Sequence, residues 1–198
     1  MQVFLDFEAS SLGKQSYPIE VGWVFEDGRS HAFLIRPAPD WTDWDPRSEA
    51  IHHIARERLM RDGTPHGEVA QYMCATLAGH DLLASAPSWD GKWLSTLLRA
   101  AGLPRHSLRL RATDIARREC ATDLLAPILS PDRLDAALQD LLARAAARKA
   151  GQSVAHRALA DAEQERERWL WLCAEARLMA DAARSIAAGG DSSALHRA

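Results

Sequence analysis

Residues 3–10 read VFLDFEAS. Val3, Phe4 and Leu5 are consecutive apolar residues, the pattern of a strand covered on both faces. Asp6 and Glu8 follow at its carboxyl end. Residues two apart on a strand project to one face. The two carboxylates therefore stand side by side, while Phe7 turns the other way. Adjacent carboxylates repel, and beside a core they also lose hydration. A hard divalent cation with oxygen ligands relieves both problems. The ordinary alternative is a strand that ends here with its acids in water, and a lone D-x-E does not separate the two.

Residues 18–26 (PIEVGWVFE) and 31–36 (HAFLIR) are further β-rich runs, with DGRS at 27–30 as a hairpin turn between them. A Pro/Asp/Trp loop occupies 37–46, and 46–59 predicts a short helix with irregular flanks. Val69, Tyr72, Met73, Thr76 and Leu77 recur at helical spacing and predict a helix over 65–78. A short apolar strand covers 81–87. Trp93, Leu94, Leu97 and Leu98 stripe a helix over 89–102, and Gly102 suits its end. Residues 107–113 alternate as a strand, and helices follow at about 113–120, 132–149 and 156–187. This order describes an α/β domain with a mixed central sheet of about five strands flanked by helices. Residues 1–188 read as a single domain and 189–198 as a flexible tail.

A chain of 198 residues is long enough to bury one sizeable core. Its net charge of -3 excludes a global basic field as the means of holding nucleic acid. A polyanion would need a local patch or bound cations. Cys74, Cys120 and Cys173 are far apart and make no metal-type spacing, so they read as small buried hydrophobes of a reducing compartment. Residues 1–15 lack the pattern of a signal peptide, and no stretch has the length of a membrane span. A cytoplasmic protein with no membrane partner is expected.

Two further segments supply acids. SAPSWDGKWL (85–94) sets Asp90 at the opening of a helix, just past an apolar strand. That is where α/β sheets open their crevices. It is equally where an acid favours a helix dipole. In HRALADA (156–162), His156 and Asp161 are five residues apart. On a regular helix they would point roughly 140° apart. They can share a site only if His156 lies in the loop before the helix.

Taken together, D-F-E near the amino terminus, an Asp opening a mid-chain helix and H-x-A-x-x-D-A resemble the DEDDh family of 3′–5′ exonucleases. RNase T, oligoribonuclease and bacterial proofreading subunits belong to it. The likeness runs over roughly residues 2–165. EAIHHI (49–54) looks like the family's I-x-x-H-G-I, with His53 where Gly is usual. RATDIA (111–116) resembles its D-T segment with the pair reversed. The acidic pair is followed by Ala-Ser-Ser-Leu rather than Thr-Thr-Gly, and the Asn that often precedes the third acid is missing.

The resemblance implies a ribonuclease H-like fold and one exonuclease domain. It implies two Mg²⁺ or Mn²⁺ ions held by Asp6, Glu8, Asp90 and Asp161, with His156 as general base. The substrate would be the 3′ end of single-stranded RNA or DNA, and the products nucleoside 5′-monophosphates. Ala9, Ser10, Ser11, Leu12, Trp44 and His52 would meet the terminal nucleotide, with Trp41 as a further wall. Arg99, Arg105, Arg109, Arg111, Arg117 and Arg118 form a basic stretch that fits phosphates, a partner or plain solvation. A homodimer is a family-level expectation. A polymerase-associated proofreading subunit and a catalytically silent nucleic-acid-binding relative are the alternatives.

Overall fold

The structure, a computed structural model, describes residues 1–150 and 156–191, with side chains through 148 and from 156 to 186. It comprises two compact units, Met1–Thr113 with Ser153–Arg166, and Asp114–Gln152 with Glu167–Ala198. The first holds β1 (Gln2–Ala9), β2 (Pro18–Phe25), β3 (Ser30–Arg36), α1 (Pro46–His52), α2 (Arg56–Asp62) and β4 (Thr64–Pro65). It continues through α3 (His66–Leu77), β5 (Asp81–Ala84), α4 (Pro87–Ala100) and β6 (Leu110–Ala112), and takes in the start of α7 (Ala158–Asp191).

The sheet order is β4-β3-β2-β1-β5-β6. β1, β2 and β3 pair antiparallel, while β5 is parallel to β1 and β6 to β5. The mixed sheet read from the sequence is present with one strand more. β4 is a two-residue pairing to β3, too short to leave a pattern.

Alternation along β1 sorts its side chains. Val3, Leu5 and Phe7 join Ile19, Val21 and Trp23 of β2 in the apolar core, with Met73 and Leu77 of α3 and Trp93 and Leu97 of α4. Phe4 and Val24 are buried as well and turn to the opposite face. That opposite face also carries Asp6 and Glu8, whose cross-strand partners are Gly22 and Glu20. Gly22 lets the start of α7 lie against the strand. A Cβ there would sit 2.2 Å from the Leu159 nitrogen and 2.4 Å from its Cα. Backbone cannot yield as a side-chain tip does. Gly22→Ala is therefore expected to cost about 3 kcal/mol in denaturant unfolding. Because the clash pushes against the helix that carries Asp161, any catalysis should fall by more than the unfolded fraction explains.

The helix expected over 46–59 is two helices. His53 adopts a left-handed φ of 57° and closes α1, donating its N–H to the Glu49 carbonyl. Gly is the residue that takes such a conformation without strain, and His stands in its place here. α4 starts on Pro87, and Gly102 follows its end at φ 69°.

The second unit contains α5 (Thr113–Leu125) from Asp114 onward, α6 (Pro131–Ala150) and the remainder of α7. Leu125, Leu141 and Leu172 are fully buried. The guanidinium groups of Arg144 and Arg148 lie 5.3 and 4.8 Å from the Trp171 ring, and Arg144 also pairs with Glu175. Cys120 and Cys173 are joined in a disulfide, which corrects their reading as unpaired hydrophobes. The two lie 53 residues apart, and only the approach of α5 to α7, with Cα atoms 6.4 Å apart, brings them together. Cys74 is free and half-buried, and burial raises its thiol pKa. Among the described residues no helix is long and apolar enough to cross a membrane. Of the tail read as flexible, residues 192–198 lie outside the described residues.

Candidate metal and nucleic-acid site

Three of the four acids meet. Asp6 and Glu8 come from the end of β1, and Asp161 from the first turn of α7. One carboxylate oxygen from each lies within 4.8 Å of the others. His156 precedes α7 by two residues, so it is in the approach to the helix and not on it. It is half-buried and takes a left-handed φ of 46°. The fourth acid, Asp90, sits in the first turn of α4 with 2% of its surface exposed. It stands outside the group of three. Its charge nonetheless acts on Asp6 more strongly than that of Glu8 or Asp161.

The electrostatics are those of anions short of a counterion. Burial raises the Asp6 carboxyl well above its usual 3.8, and the charges of Asp90, Glu8, Asp161 and Glu165 raise it further. Glu8 is pushed up to about 8, first by burial, then by Asp161 and Glu20, with Arg157 opposing. Asp90 reaches about 7, again first by burial, against backbone hydrogen bonds at Ala86 and Phe7 that favour its charged form. Asp90 Oδ2 is sealed from solvent and has no hydrogen-bond partner among the described residues. An orphaned carboxylate oxygen beside three converging carboxylates suits a hard cation. The donor set is all oxygen, which favours Mg²⁺ or Mn²⁺ over a thiolate-bound metal.

A second set of residues holds this cluster together. Glu20 is 3% exposed and lies directly across from Glu8. Like charges facing each other across strands destabilise a sheet. Arg157 relieves this one. Its Nε donates to both Glu20 oxygens at 3.1 and 3.0 Å, and a terminal nitrogen donates to Oε1 at 2.5 Å. The Ala158 N–H adds a bond of 3.0 Å to Oε2. Glu20 thus caps the start of α7 from the sheet, next to both His156 and Asp161. The sequence reading missed Glu20, Gly22 and Arg157. An E-x-G on β2, in register with D-x-E on β1, was the available signal.

The loop leaving β1 is tied down from two sides. The Ser10 and Ser11 hydroxyls donate to Asp43 at 3.2 and 2.5 Å. Ser10 Oγ also accepts from the Tyr17 N–H, and Ser11 Oγ from that of Gly13. From α4, Lys92 donates to the Gly13 carbonyl and to Ser16, and the Trp93 indole N–H to Ser16. Ala9 is buried and Leu12 is 68% exposed. Trp41 packs on Tyr17, with ring centroids 5.1 Å apart. Trp44 donates its indole N–H to Glu49 and meets the His52 ring edge-on at 6.2 Å. His52 is buried, and its pKa is lowered chiefly by that burial. Its Nδ1 accepts from the Ile54 N–H, which places the ring proton on Nε2, an atom with no partner among the described residues.

The sheet, its order and the helices about it make a ribonuclease H-like fold. Similar solved structures include the zinc-bound complex of Escherichia coli exonuclease I with single-stranded DNA, at 18% identity and a TM-score of 0.59 over 84% of this chain and 38% of that one. Exonuclease I from Methylocaldum szegediense aligns over 64% of this chain and 30% of its own, at 15% identity and a TM-score of 0.51. The E. coli enzyme with a dT13 oligonucleotide aligns over the same shares, at 16% and 0.50. The chain therefore spans well under half the length of these neighbours, and at such identities the likeness concerns the fold. No protein-family profile matches the sequence, and no curated protein does.

Proposed function

We propose that the chain is a divalent-metal-dependent 3′–5′ exonuclease that trims single-stranded nucleic acid to nucleoside 5′-monophosphates. The observation that carries this reading is the convergence of Asp6, Glu8 and Asp161 beside the unpartnered oxygen of buried Asp90. The neighbours add weight, since two of them hold single-stranded DNA on the same fold.

Asp6, Glu8, Asp90 and Asp161 would hold two Mg²⁺ or Mn²⁺ ions. Once bound, such ions supply positive charge to the attacking and leaving oxygens of a phosphodiester. The chain's own residues do the rest. His156 accepts the proton of the attacking water, a role for which its position just before α7, beside Asp161, suits it. The Glu20–Arg157 pair fixes the turn that presents it. Because their hydroxyls are engaged by Asp43, Ser10 and Ser11 shape the seat of the terminal nucleotide through the backbone of residues 9–12. Trp44 offers a ring face for a base, an interaction worth about 1–3 kcal/mol. His52 offers its Nε2–H.

The test is digestion of matched 5′-labelled RNA and DNA oligonucleotides by the full chain, with Mg²⁺, with Mn²⁺ and with EDTA. The expected result is shortening from the 3′ end, release of 5′-monophosphates and silence in EDTA. Internal cuts, undiminished activity in EDTA, or intact oligonucleotides in Mn²⁺ would each defeat the reading.

A further inference from the structure

A concavity lies in the first unit, on the flank of α4 beside the segment leading into β6. Its volume is about 370 Å³, and Ser95, Arg105, His106 and Arg109 line it together with Leu94 and Leu108. The local charge is lopsided. Residues 91–113 contain five Lys or Arg and no Asp or Glu, in a chain whose 27 acids outnumber its 24 bases. Lys92 is engaged by Gly13 and Ser16, and Arg111 by Asp81. Arg105 and Arg109, both exposed, form no ion pair among the described residues.

The pocket's hydrogen-bonding chemistry fits a phosphodiester. Arg105 Nε donates to His106 Nε2 at 2.9 Å. The imidazole is therefore an acceptor at Nε2 and a donor at Nδ1. Two guanidinium groups, an imidazole N–H and the Ser95 hydroxyl are all donors, as phosphate oxygens require. Leu94 and Leu108, which belong to the core, close the inner wall of the pocket and leave its donors facing outward. The location fits too. Gly91 lines the same pocket and directly follows Asp90 in α4. Ser95 lies about 7.5 Å further along the helix axis than Asp90 and roughly 140° around it, so a strand leaving the acidic cluster would reach the pocket by passing round α4.

We propose that this pocket is a phosphate subsite that grips the backbone of a polynucleotide a few nucleotides away from the end held at the acidic cluster. The proposal rests on the nuclease reading. It also meets a need that reading creates. A cluster of carboxylates repels a polyanion until cations are bound, so the strand needs a cationic hold elsewhere.

The experiment is fluorescence anisotropy of a labelled single-stranded 12-mer with the full chain in EDTA, across a salt series. Arg105→Gln/Arg109→Gln is compared with wild type and with Arg58→Gln/Arg61→Gln, which removes the same charge from exposed α2. The expected result is a fall in affinity of about tenfold or more at low salt for the pocket variant only. Its log–log salt slope should shrink by about 1.4, from two lost phosphate contacts. In wild type, the oligonucleotide should also protect Arg105 and Arg109 from phenylglyoxal, a measurement that does not depend on the variant folding. Equal losses in the two double variants, or unprotected arginines in a chain that binds the 12-mer, would overturn the subsite and leave the nuclease reading standing. A wild-type chain that neither binds nor shortens any oligonucleotide would overturn both.

Discussion

Asp6→Asn is expected to cut nucleotide release by about 1000-fold or more while making the metal-free protein more stable at alkaline pH. The first effect follows, on the proposed function, from removing one of the carboxylates that would hold the ions, a loss of about 4 kcal/mol in the barrier. The second follows from the same crowding. Asp6 is buried among Asp90, Glu8, Asp161 and Glu165, each of which opposes its ionisation. Asn keeps the shape and deletes the charge. At acid pH, where its raised carboxyl lets the wild type keep the proton, the two proteins should melt together. Toward pH 9 the variant should melt higher, and the rise produced by Mn²⁺ in wild type should vanish. Thermal melts at both pH values, beside an activity assay, make the check. An Asn variant within tenfold of wild-type activity would remove Asp6 from the chemistry.

A pH-dependent response to metal is the second large effect expected. Glu8 is raised from its ordinary 4.5 to about 8, and Asp90 from 3.8 to about 7. A carboxyl with a raised folded-state pKa holds its proton more tightly folded than unfolded. Its contribution to stability is therefore complete below the unfolded value and disappears as pH climbs through the folded one. The metal-free protein should accordingly lose stability between about pH 4 and pH 8, by up to roughly 1.4 kcal/mol per pH unit for each group titrating. Cations reverse the trend, because they bind the deprotonated form and need displace fewer protons as pH rises. Mn²⁺ at one fixed concentration should raise the melting temperature more at pH 8 than at pH 6, and EDTA should abolish the difference. A metal-induced rise of equal size at both pH values would contradict the assignment.

The strands were legible because β1 and β2 are runs of mostly apolar residues seven or eight long, the pattern of strands covered on both faces. What escaped was set by contacts and not by pattern. β4 is two residues long and exists only because β3 offers it an edge. The break between α1 and α2 depends on a left-handed His53, a conformation that residue type does not announce. The Cys120–Cys173 bond needs two helices from opposite ends of the second unit's sequence. In the site, Asp6 and Glu8 were visible as an i, i+2 pair, and Asp161 through its spacing from His156. Glu20 and Arg157 are 137 residues apart. Their pairing becomes readable only once β2 is known to lie beside β1 with Glu20 facing Glu8. Asp43 is hidden in the same way, since its role is to receive two serines from a distant loop.

The alternation of β1 has a bearing on how the chain folds. Slide β1 by one residue against β2 and each of its side chains changes face. Asp6 and Glu8 would then point among Trp23, Met73 and Trp93, while Leu5 and Phe7 would be driven against the backbone of the last helix. Neither substitution of neighbours is tolerable, so mispaired hairpins should be short-lived. The acids of the cluster thus also act earlier, as markers that tell the correct alignment from its nearest error.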